Sequence, residues 1–282
     1  MGKRGERTLS PCHPVTEPKE FFMQLGAMND PQRNLFDEIR WIGENGFDYI
    51  DLTVEAPAAA AESTPWREVA GAIQDAGLGV ICHAAPYLPI HNPSPLVRQA
   101  ALDELRRTVD VAQILGAPLC TMHFMGWPRY LRDREGYEFY RQMLDILVRH
   151  GAERGVDVAM ENGVDNRHQL KYFREIFQRT PGLKLLYDVG HGNLATAKSM
   201  TREYLFALRD RLAHIHMSDN NGREDLHLPF GAPIRGGLDL LQNLRTLRSF
   251  HYDGSITVEV FGERRWLLLS AQRIRDLWEE AG

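Results

Sequence analysis

With 282 residues, 43% hydrophobic and 25% charged, the chain has the make-up of an ordinary globular protein, long enough for two small domains or one α/β barrel. A formal net charge of −5 argues against a protein whose main task is gripping nucleic acid, although net charge leaves room for a local basic surface. No apolar run approaches the roughly 18 residues of a membrane span, and no apolar signal core opens the chain. Three cysteines without paired spacing, Cys12, Cys82 and Cys120, point to reduced thiols and a cytoplasmic location.

Residues 1–19 carry Gly, Pro, Lys, Arg and Glu without periodicity, so a mobile extension is expected there, with one catalytic domain over 20–282. From residue 22 short apolar runs alternate with longer segments of helical spacing. The runs fall at 22–25, 49–52, 79–81, 119–122, 158–160, 183–187, 213–216 and 255–260. Between them, segment 34–44 places Leu35, Ile39 and Ile42 on one helical face. Segment 96–115 does the same with Leu102, Leu105, Val109, Ala112 and Leu115, and segment 137–153 with Phe139, Met143, Leu147 and His150. Glycines at 46, 77, 116, 155 and 182 mark the helix ends. Eight strands alternating with eight helices predict a single parallel (β/α)8 barrel. The competing doubly wound open sheet needs fewer strands, and no Gly-rich phosphate fingerprint follows the first strand.

In such a barrel the chemistry sits at the C-terminal ends of the strands and on the loops after them. The third strand leads to His83 and the fourth to His123. The fifth ends at Glu161, the sixth at Asp188 with His191 beyond it. The seventh ends at His216, with Asp225 and His227 on its loop, and the eighth leads to Glu259. Nine imidazole and carboxylate groups from six consecutive strands would thus share one mouth. These are the donors a Zn2+- or Mn2+-type ion selects, and carboxylates leaving the core must be paired or coordinated. Glu161, Asp188, His216 and Glu259 are the primary candidates. His83, His123, His191, Asp225 and His227 are either further ligands or groups that touch the ligands or the substrate. His214 lies one pleat deeper than His216 and reads as a satisfied interior histidine. His13, His91, His150, His168 and His251 read as surface groups.

The sequence resembles the xylose isomerase-like TIM barrel superfamily, which holds sugar isomerases and epimerases, inosose dehydratases and the endonuclease IV type of abasic-site endonuclease. The resemblance runs from about Met23 onward. It rests on His83 to Tyr87 (HAAPY), Met160-Glu161-Asn162, Tyr187 to His191 (YDVGH), His214 to Asp219 (HIHMSD), Asp225-Leu226-His227 and Val258-Glu259-Val260. In the isomerase and epimerase branch it implies the ligand set Glu161, Asp188, His216 and Glu259. In the endonuclease branch it implies a trinuclear zinc cluster that adds His83, His123, His191, Asp225 and His227. The stretches 24–30 and 46–52 look more like the isomerase branch, whereas the loop 231–237 departs from the Gly-Glu-Gly type of turn common to both.

The expected activity is therefore divalent-metal-dependent isomerisation or epimerisation of a sugar, sugar phosphate or related polyol. Glu161 and Glu259 would pass a proton as paired base and acid, with one to three Mn2+, Zn2+, Co2+ or Mg2+ ions per chain. His191 would orient a substrate hydroxyl, Arg223 would hold an anionic or polyol end, and Trp127 would contact substrate. The first alternative is zinc-dependent phosphodiester hydrolysis at abasic DNA, with the aromatic and basic loop 127–134 as a nucleic-acid contact. A second is a barrel that binds metal or sugar without turnover. The partner expected is a small sugar-like molecule, with nucleic acid disfavoured, no membrane, and a homo-oligomer compatible with the related families.

Overall fold

The computed structural model describes residues 23–164 and 166–282, without the side chains of 166–169. The expected extension at 1–19, Cys12, His13 and the side chain of His168 lie outside the described residues. Eight strands, β1 (Gln24–Met28), β2 (Tyr49–Val54), β3 (Gly79–Ala84), β4 (Leu119–His123), β5 (Asp157–Glu161), β6 (Lys184–Asp188), β7 (Leu212–Met217) and β8 (Ser255–Val258), alternate with eight helices. These are α1 (Leu35–Glu44), α2 (Trp66–Asp75), α3 (Pro95–Leu115), α4 (Asp133–Ala152), α5 (Asn166–Arg179), α6 (Thr201–Leu208), α7 (Leu240–Ser249) and α8 (Arg264–Glu280). The strands pair in chain order, and β8 closes on β1 in parallel. The expected (β/α)8 barrel is the fold. No helix among the described residues is long and apolar enough to cross a membrane.

The helical faces of α1 and α3 are those read from the sequence: Leu35, Ile39 and Ile42, and Leu102, Leu105, Val109, Ala112 and Leu115, are all buried. Gly116 ends α3 at φ +72°, where a side chain would be strained.

Three expectations need correction. The first strand lies two residues later than the apolar run at 22–25, because its inward position is Gly26, whose missing side chain is replaced by the Tyr49 ring. The inward face of α4 is Gly136, Tyr137, Tyr140, Leu144, Leu147, His150 and Gly151: the expected Leu147 and His150 are buried, whereas Phe139 and Met143 are only half-buried. Tyrosines that read as amphipathic in the sequence supply that face: the Tyr140 hydroxyl donates to the Met125 carbonyl at 2.5 Å, which removes the cost of burying it. Finally, His91 and His150 are buried rather than at the surface. His91 stacks on the Tyr140 ring, and His150 pairs through Nε2 with Asp110 Oδ1 at 2.7 Å.

Inside the barrel the period-two alternation stacks side chains in layers. Tyr49, Ile81, Leu119, Ala159 and Leu186 form a separate apolar cluster toward the N-terminal end. Two residues further along β2, β3, β5 and β6 stand Asp51, His83, Glu161 and Asp188. The same faces therefore change from oil to charge within one pleat repeat.

Candidate metal centre

All nine donors named from the strand ends meet around the C-terminal mouth, and Glu161 is their hub. Its Oε2 lies 3.1 Å from His123 Nε2 and 3.7 Å from His83 Nε2, and its Oε1 lies 3.5 Å from His216 Nδ1. His216 Nδ1 is also 3.1 Å from Glu259 Oε2. Glu259 Oε2 is 3.6 Å from His227 Nδ1, and Asp225 Oδ2 sits 3.1 Å from both His191 Nε2 and His227 Nε2. Donor atoms of Glu161, Asp188, His216 and Glu259 lie within 4.8 Å of one another, as do those of His83, Glu161 and His216 and those of His191, Asp225 and His227. Ligands about 2.0–2.2 Å from a shared tetrahedral ion stand about 3.4 Å apart, so these spacings fit a metal. The unpaired atoms fit it too. Both Glu161 oxygens, Asp188 Oδ2, Asp225 Oδ1, His83 Nε2 and His227 Nδ1 are buried without a hydrogen-bond partner, a costly state that a cation relieves.

The backbone aims these groups. His83 Nδ1 is 3.0 Å from the Ala84 carbonyl and donates to it, which turns Nε2 toward Glu161. Asn162 clamps the end of β6: its Oδ1 accepts from the Asp188 N–H at 2.6 Å and its Nδ2 donates to the Asp188 carbonyl at 2.9 Å. Asp188 Oδ1 in turn accepts from the His191 N–H at 2.6 Å, opening a single 3-10 turn at His191–Asn193. Asp219 folds the long β7–α7 loop back over the mouth, accepting from the N–H groups of Asn220, Gly231 and Leu238 at 2.7–2.8 Å. That fold-back brings Asp225 to His191, just beyond β6, and His227 to Glu259, just beyond β8.

The electrostatics are those of carboxylates held by imidazoles. Burial alone would raise Glu161, yet His123 and His216 hold it well below the ordinary carboxylate range. Burial likewise opposes Glu259, and His216 and His227 bring it down to about 2. Asp188 goes the other way: burial raises it, His191 opposes, and the nearby Glu259 and Glu161 carboxylates carry it to about 7. His227 would be lowered by burial, but the hydrogen bond with Asp225 and the charge of Glu259 lift it to about 9. Burial dominates at His123 and takes it down to about 4.

Two residues expected at the substrate lie away from the donors. Arg223 is exposed and lines a cavity of about 1120 Å³ beside α6 and α7, together with Asn193, Lys198, Arg202 and Arg245. Trp127 is half-buried, wedged between Tyr137 and Tyr172 with ring centroids at 5.2 and 4.9 Å, and fills the space where a side chain at residue 136 would stand. That packing anchors the β4–α4 loop to α4 and α5. A residue that strand-end reading misses is Asp51, in the middle of β2, whose Oδ2 receives both His214 and His216. Its signal was the period of two: with Tyr49 and Thr53 it shares the interior face, where an acid cannot stay unpaired.

A closed eight-stranded barrel with imidazole and carboxylate donors converging at the C-terminal ends of its strands defines a TIM barrel with a candidate metal centre. The chain belongs to the xylose isomerase-like TIM barrel family, which it matches over residues 39–280. Among curated proteins it is similar to the uncharacterised protein MJ1311 of Methanocaldococcus jannaschii, at 25% identity. That match covers 64% of this chain and 64% of the relative, so the chain spans less than two thirds of the relative's length. Among solved structures it superposes on a D-tagatose 3-epimerase-like protein with a TM-score of 0.82 at 20% identity, covering 92% of this chain and 98% of the other. The 3-keto-D-glucoside 4-epimerase YcjR of E. coli gives 0.70 at 21% identity, with 92% and 98% covered. Both likenesses are of fold.

Proposed function

We propose that the chain is a divalent-metal-dependent isomerase or epimerase acting on a sugar, sugar phosphate or related polyol. The observation that carries this reading is the pair of buried glutamates flanking His216, with Glu161 Oε1 at 3.5 Å and Glu259 Oε2 at 3.1 Å from the same ring nitrogen. Glu161, Asp188, His216 and Glu259 would hold the ion. When bound, it supplies Lewis-acid polarisation of neighbouring carbonyl and hydroxyl oxygens, which acidifies the C–H between them. One glutamate, ionised in this setting, would accept that proton, and the other, which has to enter the step protonated, would deliver its own to the opposite face and be left ionised. His191, fixed by Asn162 and Asp225, orients a substrate hydroxyl. The sugar epimerases that share this fold support the reading. We place the protein in the cytoplasm, on two buried thiols, Cys82 and Cys120, in register on β3 and β4, that form no disulfide among the described residues.

The test is proton exchange. Metal-loaded protein incubated in D2O with a panel of ketoses and their phosphates is expected to place deuterium at the carbon that epimerises or isomerises, and chelator is expected to stop it. Bound metal without exchange on any of them overturns the reading.

One observation favours a second chemistry. Eight of the nine donors fall into three groups, with Glu161 and His216 shared between two of them, which is room for up to three ions and for hydrolysis of a phosphodiester. Cleavage of abasic duplex DNA by the zinc-loaded protein, with no sugar exchange, would put this chemistry first.

A further inference from the structure

We propose that Asp51 is a positioning residue that decides which nitrogen of His216 faces the ion. This inference rests on the metal-centre reading above. Asp51 is fully buried in the barrel interior. Its Oδ2 is 2.9 Å from His216 Nε2, 3.3 Å from His214 Nε2 and 2.9 Å from Thr257 Oγ1.

A neutral imidazole carries one proton, and a carboxylate only accepts. His216 has carboxylates on both sides: Asp51 at Nε2, and Glu259 and Glu161 at Nδ1, 3.1 and 3.5 Å away. Without Asp51 the upper pair would draw the proton to Nδ1, and the ring would turn a donor toward the ion. With Asp51, the proton stays on Nε2 and the Nδ1 lone pair points into the centre. This is the carboxylate–imidazole–metal arrangement, in which the outer carboxylate fixes tautomer and ring orientation.

The rest of the layer holds Asp51 itself in place. His214 is spanned between Ser255 Oγ at Nδ1, 2.7 Å away, and Thr257 Oγ1 at Nε2, 3.0 Å away. Thr257 Oγ1 also meets the Tyr49 hydroxyl at 2.9 Å. His214 and His216 meet edge to face at 5.1 Å, so neither ring can swing without displacing the other.

The experiment compares Asp51→Asn with Thr257→Val. The first keeps an amide oxygen to accept but removes the charge that pins the His216 proton, whereas the second keeps that charge and removes one hydrogen bond to the same buried oxygen. Zn2+ affinity, measured by competition with a chromophoric chelator, is expected to fall about 10–100-fold in Asp51→Asn and to stay within about twofold in Thr257→Val. Equal affinity in wild type and Asp51→Asn, or an equal loss in both variants, overturns the assignment. If Asp51→Asn does not fold, 15N shifts of His216 in the zinc-loaded wild type decide it: coordination through Nδ1 is required, and coordination through Nε2 overturns the proposal. A wild type that takes up no ion overturns this inference together with the reading beneath it. Equal affinities alone would leave that reading standing.

Discussion

The lower and upper layers of the barrel interior are made by the same strands and differ in kind. Below, Tyr49, Ile81, Leu119, Ala159 and Leu186 exclude water and pack on one another. One pleat repeat higher on β2, β3, β5 and β6, Asp51, His83, Glu161 and Asp188 are just as buried but carry charge. Burying an apolar side chain stabilises by about 1.5–3 kcal/mol, whereas burying an unpaired ionised group costs several. The upper layer therefore offsets nothing for the fold by itself. It persists because imidazoles and carboxylates neutralise one another, and it leaves buried oxygens and nitrogens without a partner among the described residues, open to a cation or substrate. Stability is concentrated below and the proposed chemistry above, as expected for the two ends of such a barrel.

Two substitutions separate the layers. The largest effect is expected above: Glu161→Gln should leave a folded barrel while turnover drops by about 10²–10⁴-fold, read as the rate of deuterium exchange into substrate. Retained activity would remove Glu161 from the proton transfer. Below, Leu186→Ala should cost about 2–5 kcal/mol of stability, measured by denaturant unfolding of the ion-free protein, with zinc affinity within about twofold of wild type. If affinity fell in step with stability, the layers would be one cooperative unit and the contrast between them would fail.

The sequence revealed the two layers unequally. The barrel was legible because hydrophobic period switched repeatedly between two and 3.6, and because glycine ended helix after helix. The donors were legible because charge at a strand end breaks an apolar run: Glu161 follows Val158, Ala159 and Met160, and Asp188 follows Leu185, Leu186 and Tyr187. Asp51 was hidden because it lies inside a strand, among residues that continue the apolar run on both sides. His91 and His150 were hidden because their burial depends on contacts remote in sequence, Tyr140 and Asp110. The face of α4 was misread because tyrosine hydroxyls count as polar until a partner such as the Met125 carbonyl is seen. Asp219, within a run of turn-forming residues, gave no sign that it closes a loop through three backbone amides.

The smallest effect expected is on stability against pH, and it sharpens the contrast without any substitution. His227, ordinarily at 6.5, is raised to about 9, so the folded state holds its proton more tightly. The stability this confers is fully present below 6.5 and is lost as pH rises through about 9. Glu259, ordinarily at 4.5, is lowered to about 2; its contribution is present above 4.5 and lost as pH falls toward 2. Asp188, raised from 3.8 to about 7, costs stability increasingly above 3.8 and in full above 7. Glu259 and His227 place the optimum of the ion-free protein between 4.5 and 6.5, and Asp188 draws it to the acid end of that window. An ion replaces the protons on the imidazoles and compensates the carboxylates together, so the alkaline loss should vanish when it is bound. Melting temperatures at about pH 5.5 and about pH 8.5 should fall with pH in excess chelator and stay level with excess zinc. A chelated protein that melts identically at both values would mean that the imidazoles of the upper layer hold no protons for the ion to replace. The upper layer would then have to be neutralised by some other means than the proton sharing argued from its distances.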